Sequence, residues 1–511
     1  MKYGFIAVLL LVGGWAAHAS HYQLTPEPVV PASQWSLLSL NYPEMIDEIY
    51  HQQGNQLIWQ DKISREVLEQ QLRLIDQAKI SWLFTSRLDR LTRLSEQALW
   101  QQYDVLATDT LLTYISYAQL APKQGNDWFF NGKLNHSLPL PSLSAKHQIL
   151  AAAGTQAMAD VILNYTPQEL AYQQLVYAFR FMSALKDAPL QPYQQIAIAR
   201  PGDRLADRET LIQRLALVNI DVSDIRRDVS WYDNSLVPAV KQFQAMHGLQ
   251  PDGIIGPNTL QWLNLSLEQR LTILALNAER MRLWPSAQTS IVVNVPNFEL
   301  HYWHAGQSVF QSKVVVGRTS RPTPVMTTRL DSLIVNPTWN IPYKIMIEDI
   351  LPVAKKDVSY LTKRNIELLP SWGANETLDP MDIDWSNISV QAFPYRMRQS
   401  AGEHNALGRY KFNTPNRRAI FLHDTPSKYL FERDSRAFSS GCIRVEHADR
   451  LASLLLAKQG LDDSQLRPQQ SSVNQAIPLR QRIPVQIIYQ TAWYEAGQLH
   501  FRDDIYQLDR L

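Results

Sequence analysis

One cysteine, Cys442, is all that this chain of 511 residues contains. A single thiol excludes an internal disulfide framework. No sign of charge dominates either. There are 49 Lys and Arg against 48 Asp and Glu, a formal net charge of +1, which leaves no electrostatic footprint for nucleic acid or for an anionic membrane surface. His404, His423 and His447 lack a carboxylate or second histidine at ligand spacing, so no metal is expected. No Gly-rich phosphate loop appears, which argues against nucleotide use, and no cofactor is expected. Beyond the N-terminus, no run is apolar enough to cross a bilayer, which takes roughly 20 residues. What is there is ordinary globular material, 45% hydrophobic, with length for two to four domains. The 14 Trp and 21 Tyr read as core packing, or for some as carbohydrate or peptide platforms.

The first residues read as an export signal over 1–19. Lys2 supplies a positive start, Tyr3 to Trp15 is apolar, and Ala17-His18-Ala19 is a small-x-small cleavage site before Ser20. An uncleaved inner-membrane anchor is the alternative. No cysteine follows the apolar run, which excludes lipoprotein processing. In an exported chain a lone thiol is a liability unless it is buried or used, and composition leaves both readings open.

Residues 20–189 are expected to be a helical scaffold after a polar lead. REVLEQQLRLIDQAKI and QALWQQYDVLATDTLLTYISYAQLA repeat apolar residues at three and four. Residues 190–264 change character, with short helices punctuated by Gly248, Asp252-Gly253 and Gly256-Pro257. AVKQFQ, HGL, DGIIGP and Thr259-x-x-x-Leu263-Asn264 there resemble the peptidoglycan-binding type 1 domain, a small three-helix module. Residues 265–287 read as one amphipathic connector helix. From 288 to 496 the period switches to strands, as in SIVVNVPNFELHYW and LDSLIVNPTWNIP. An insertion of about 353–393 has less strand signal and reads as a cap over a cleft, and 497–511 as a C-terminal strand and tail. The whole is a multidomain α+β chain whose last large domain is mainly β.

The chemistry gathers in LGRYKFNTPNRRAIFLHDTPSKYLFERDSRAFSSGCIRVEHADRLASLLL. His423 ends the apolar strand AIFL, and Cys442 follows Ser439-Ser440-Gly441. Gly441 permits a tight turn and close approach of a substrate. N–H groups of a turn near a helix start can converge on an oxyanion, and the same partial charge lowers a thiol pKa. A histidine on an adjacent strand can take and return the proton. By itself this pair is also compatible with a buried Cys beside a surface His.

The same stretch resembles the L,D-transpeptidase (YkuD-type) catalytic domain, whose pattern is an upstream His, then Ser/Thr-His-Gly-Cys, a hydrophobic residue and Asn or Arg. His423, Ser439, Gly441, Cys442, Ile443 and Arg444 match. Ser440 stands where many members have His, which leaves His423 as the base. NPTWNIP, LGRYKF, FLHDTP and RDSRAFSSGC resemble the large Gram-negative (YcbB-like) subgroup. The resemblance implies a periplasmic wall enzyme without cofactor, forming 3→3 cross-links through a thioester on Cys442 and open to carbapenem-type inhibitors. Its partners would be peptidoglycan stem peptides and glycan, and other wall synthases. It further implies that His423 is base and acid, that a carbonyl near Asp424 orients its ring, and that the N–H groups of Gly441 and Cys442 hold the oxyanion. Arg444 binds a substrate carboxylate or pairs with Glu446 or Asp449. Ser439, Ser440, Trp339 and Tyr410 are candidate substrate contacts, and Phe421 a candidate cleft wall. Hydrolysis by the same thiol, attachment of a lipoprotein, or a non-catalytic wall-binding scaffold are the competing readings.

Overall fold

The computed structural model describes residues 35, 38–155, 157–186, 190–284, 287–374, 376–385, 387–389, 393–466 and 473–511; the expected signal over 1–19 lies outside them. The chain forms two compact units. One takes the described residues up to Leu68 with Asp89–Ser116 and Leu138–Ile162; the other takes Glu69–Leu88, Tyr117–Ser137 and Leu163–Leu511.

The first unit is helical, as the three-and-four apolar spacing requires, and is organised on buried carboxylates of the helix Trp100–Asn126. Asp104 accepts from the Tyr50 hydroxyl at 2.6 Å and from the N–H groups of Ile58 and Trp59 at 2.9 and 2.7 Å. Burial outweighs these donors and pushes its carboxyl up to about 6.

In the second unit, the helices Arg208–Leu217, Val237–Met246 and Pro257–Leu263 make a small module. Its sequence motif has a physical reason. The Gln244 side chain donates to Ile254 O at 2.9 Å and accepts from Gly253 N–H at 2.8 Å, so the FQ pair clamps the DGIIG loop. Gly248 has φ +68, and a Cβ there would meet the Arg502 side chain at 2.7 Å. His247 stacks on Phe501 at 5.1 Å, seating the module on the C-terminal hairpin. The stretch expected to be an amphipathic connector, Leu267–Arg280, is instead buried on every face from Arg270 to Arg280. It packs against the helix Leu170–Ser183. Its Asn277 amide donates to Thr491 at 2.8 Å and its Arg280 pairs with Asp509 at 2.7 Å.

The β region holds fourteen strands among the described residues. They are β1 Ser290–Asn294, β2 Glu299–His304, β3 Gln307–Gly317, β4 Met326–Val335, β5 Trp339–Asn340, β6 Ile366–Leu369, β7 Arg396–Gln399, β8 Tyr410–Asn413, β9 Leu422–His423, β10 Ala437–Ser439, β11 Ile443–Val445, β12 Gln475–Ile488, β13 Ala492–Glu495 and β14 Gln498–Phe501. Nine of them form one sheet in the order β10-β3-β11-β9-β8-β4-β12-β1-β2, and β2 also pairs with β3, so the sheet closes on itself. The last strands serve two sheets. β12 enters the large sheet between β4 and β1, and the hairpin proper is β13–β14, turned by Ala496 and Gly497 at φ +49 and +79. A second small sheet, β5-β7-β6, carries its own core of Ile341, Met346, Leu351, Leu361, Leu368, Trp385 and Met397. That core reaches beyond 353–393 on both sides, because NPTWNIP leads into the small sheet rather than onward in the large one.

Replacing Asp104 by Leu strands the Ile58 and Trp59 donors in a dry interior. The expected loss is about 3 kcal/mol or more, read as a lower midpoint in denaturant unfolding.

Candidate active site

Cys442 sits in the Ser440–Cys442 turn between β10 and β11. β11 runs parallel to β9, with Ile443 opposite Leu422 and Arg444 opposite His423; Ile443 N–H donates to Phe421 O at 3.1 Å. Strand alternation then separates the two faces. Leu422 and Ile443 are buried in the core, whereas Phe421, His423, Cys442 and Arg444 all line one cleft of about 460 Å³. Ser439 and Ser440 line it too, and Trp339, Asp349, Tyr360 and Gln399 wall it from the small subdomain. Gly441 is buried in the turn at φ +116, a conformation that favours glycine. Tyr410 is not among the lining residues. It is buried on β8, and its carbonyl accepts from Asp424 N–H at 2.9 Å.

His423 is oriented by the main chain. Its Nδ1 lies 2.6 Å from Asp424 O. A carbonyl can only accept, so Nδ1 carries the proton and Nε2 is left with a free lone pair. Burial first, then the Arg444 guanidinium, drive its pKa down to about 3 against the Asp424 carbonyl, with Lys411 adding to the fall. The Asp424 carboxylate is structural, accepting from Arg409 N–H at 2.9 Å and from the Lys428 ammonium.

The thiol departs from the sequence expectation in two ways. Cys442 closes the turn that leads into β11, and the next helix begins only at Ala448, so no helix terminus acts on it. Burial therefore pushes its pKa up, against the Phe421 N–H, Lys411 and Arg444, which all favour thiolate. The oxyanion donors also differ from expectation. Gly441 N–H already donates to Ser439 Oγ at 3.1 Å, and that hydroxyl donates to Cys442 O at 2.5 Å. Cys442 N–H has no hydrogen-bond partner among the described residues.

Arg444 makes no ion pair with Glu446, Asp449 or any other carboxylate among the described residues. Its Nε is buried without a partner. Sequence reasoning missed Lys411. It lies opposite His423 in the β8–β9 ladder, with Nζ 4.4 Å from the Phe421 ring centroid. Alternation within RYKFN was the available signal, since it turns Lys411 to the face opposite Tyr410. Arg321 was missed without any signal. It is buried, donates to Ser440 Oγ at 3.0 Å, and pairs with Asp349 at 2.5 Å and with Glu348. Thus the turn holding Cys442 is tied to the small subdomain.

Among the described residues no group of His, Cys, Asp and Glu could hold a metal ion, and no helix is long and apolar enough to cross a membrane.

The chain resembles known proteins at the level of domains and of whole chains. Residues 288–468 match the L,D-transpeptidase catalytic domain, 205–263 a putative peptidoglycan binding domain, and 44–178 a scaffold domain. Solved structures resembling the chain include a carbamoyl enzyme of Ldtfm with avibactam, at 13% identity over 40% of this chain and 51% of that one, TM-score 0.20. Another is an L,D-transpeptidase (Yku) from Stackebrandtia nassauensis, at 14% identity over 61% of this chain and 100% of that one, TM-score 0.21. A putative L,D-transpeptidase of Haemophilus influenzae is 32% identical over 472 residues, spanning 92% of this chain and 79% of the relative. On that extent of identity, the chain belongs to the L,D-transpeptidase family.

Proposed function

We propose that the protein forms 3→3 cross-links between peptidoglycan stem peptides through a thioester on Cys442. The observation that carries this reading is the His423–Cys442 pair on one sheet face, with Nδ1 of the histidine held by Asp424 O. The neutral imidazole takes the Sγ proton at Nε2 as sulfur attacks the carbonyl following the L-centre of diaminopimelate in a donor tetrapeptide. Cys442 N–H stabilises the oxyanion. Collapse breaks the C–N bond, His423 returns the proton to the departing D-Ala amine, and the acyl group stays on sulfur. The side-chain amine of a second stem's diaminopimelate then attacks, the new C–N bond forms, the C–S bond breaks, and the amine proton passes through His423 to the thiolate. Arg444, cationic and without a carboxylate partner among the described residues, binds a substrate carboxylate. Lys411 supports sulfur whenever it carries charge. Ser439 and Gly441 hold the turn, Ser440 and Trp339 face the substrate, and Tyr410 acts through its main chain.

Around this site, 205–263 binds the wall and 353–393 lies within the cap. The chain is exported by a cleavable signal to the periplasm, where other wall synthases supply its partners. Peptidoglycan as substrate places it outside the cytoplasm.

Intact-mass measurement after incubation with a carbapenem tests the nucleophile. The expected result is one adduct on the wild type and none on Cys442→Ala; an adduct persisting in the variant contradicts the assignment. His423→Ala should acylate on the order of 10²–10⁴-fold more slowly.

Because burial raises the thiol and holds His423 neutral down to about 3, the resting pair is thiol and imidazole rather than a preformed ion pair. Acylation should show no loss between about pH 7 and pH 5, and should rise in alkali as thiolate appears. Lys411→Met should slow it at neutral pH and recover at higher pH; an unchanged profile rules out the lysine. The unfolded chain binds the proton that native His423 refuses, so this residue's contribution to stability falls as pH drops from 6.5 toward about 3. His423→Gln should blunt that part of the acid sensitivity in unfolding titrations.

With tetrapeptide muropeptides, mass analysis should find dimers linked 3→3. Tripeptides alone would mean that water, not an amine, resolves the thioester.

A further inference from the structure

A second cavity, of about 480 Å³, shares no lining residue with the Cys442 cleft. Tyr302 and His304 at the end of β2 form one wall, and Lys458 and Gln459, just past the helix Ala448–Ala457, form another. The third is an irregular stretch of β12. That strand pairs with β4 through Pro478 and resumes at Ile483, and such breaks re-aim side chains. The break is held in place rather than loose. Gln459 Nε2 donates to Gln481 O at 3.0 Å, and Gln459 Oε1 accepts from Gln481 N–H at 3.0 Å. At Gly460, φ +63, a Cβ would stand 3.3 Å from Arg480 Nη1, so glycine leaves room for the guanidinium.

Lys458, Arg480 and Arg482 are exposed around this space and form no ion pair among the described residues. No Asp or Glu lines it. Inside, the Tyr302 side chain is fully buried, yet its hydroxyl has no hydrogen-bond partner; neither has His304 Nδ1. A buried donor left unpaired costs about 1–3 kcal/mol, and a group in that state calls for a physical reason. Burial also raises the Tyr302 pKa, which keeps the hydroxyl a donor. Three unpaired cations exceed what one carboxylate would balance, whereas a phosphate brings up to two charges and several acceptor oxygens.

We propose that this cavity binds a phosphate-bearing ligand, with Lys458, Arg480 and Arg482 as counter-charges and the Tyr302 hydroxyl donating from within. The phosphate belongs either to a soluble phosphosugar-like molecule or to a lipid headgroup. The test uses the full mature chain. Inorganic phosphate is titrated calorimetrically, and sedimentation is followed with vesicles of phosphatidylglycerol and phosphatidylcholine in equal parts, against phosphatidylcholine alone. Saturable binding of phosphate, weakened at least about tenfold in Arg480→Ala/Arg482→Ala and less in Tyr302→Phe, is the expected result. Co-sedimentation only with the phosphatidylglycerol vesicles, lost in the same double variant, assigns the phosphate to a lipid; binding of free phosphate without co-sedimentation assigns it to a soluble ligand. Carbapenem acylation of Cys442, which none of these residues touches, reports that each variant is folded; if the double variant fails it, Arg480→Gln takes its place. The proposal is overturned if the wild type binds neither probe, or if the folded variants bind as the wild type does.

Discussion

His423 donates its Nδ1–H to the carbonyl of its own neighbour, Asp424, over 2.6 Å, and that bond fixes the tautomer of the ring. It leaves Nε2 unprotonated on the side of the sheet that Cys442 shares. A carbonyl, unlike a carboxylate, adds no negative charge to offset desolvation, so the ring stays neutral. Cys442 is half-buried by accessible surface, and desolvation still raises its thiol pKa, which favours the protonated form. The two side chains that share the cleft are thus both neutral at rest. Arg444 and Lys411 act against that neutrality, since both favour the thiolate.

The turn holding Cys442 is fixed from several directions. Ser439 Oγ bridges Gly441 N–H and Cys442 O. Thr323 Oγ1 donates to Gly441 O at 2.8 Å and accepts from Gly317 N–H at 2.8 Å. Tyr506, from the C-terminal tail, donates to Gly317 O at 2.5 Å and accepts from Thr323 N–H at 3.1 Å. The same tail reaches the buried Arg280–Asp509 pair. One hydrogen-bonded path therefore runs from the buried end of the helix Leu267–Arg280 to the backbone beside the thiol. Arg321 adds a second path, from Ser440 to the acidic pair Glu348 and Asp349 of the small subdomain. One guanidinium is thus shared between the Cys442 turn and the small subdomain.

Much of this was legible in the residues. The helical period of the scaffold, the DGIIG loop, and the match from His423 through Arg444 all carry local or family signal. The Gln244 clamp explains why the module's motif is readable: its spacing is a hydrogen-bond requirement within one short stretch. Lys411 was half legible, since alternation puts it on the face opposite Tyr410, but the strand it opposes is not written in the sequence.

The sequence by itself determined residue types and short-range spacing: a lone thiol after Ser-Ser-Gly, an upstream histidine, a glycine where φ must be positive. It did so because those features depend on neighbours in the chain. Only the tertiary structure decided that burial raises the Cys442 thiol rather than a nearby helix start lowering it. The connector helix became a buried core element, and Gly441 N–H is already spent on Ser439, on the same grounds. Desolvation and hydrogen-bond partnership depend on which distant segments close around a group, and strand order β11-β9-β8 sets that closure here.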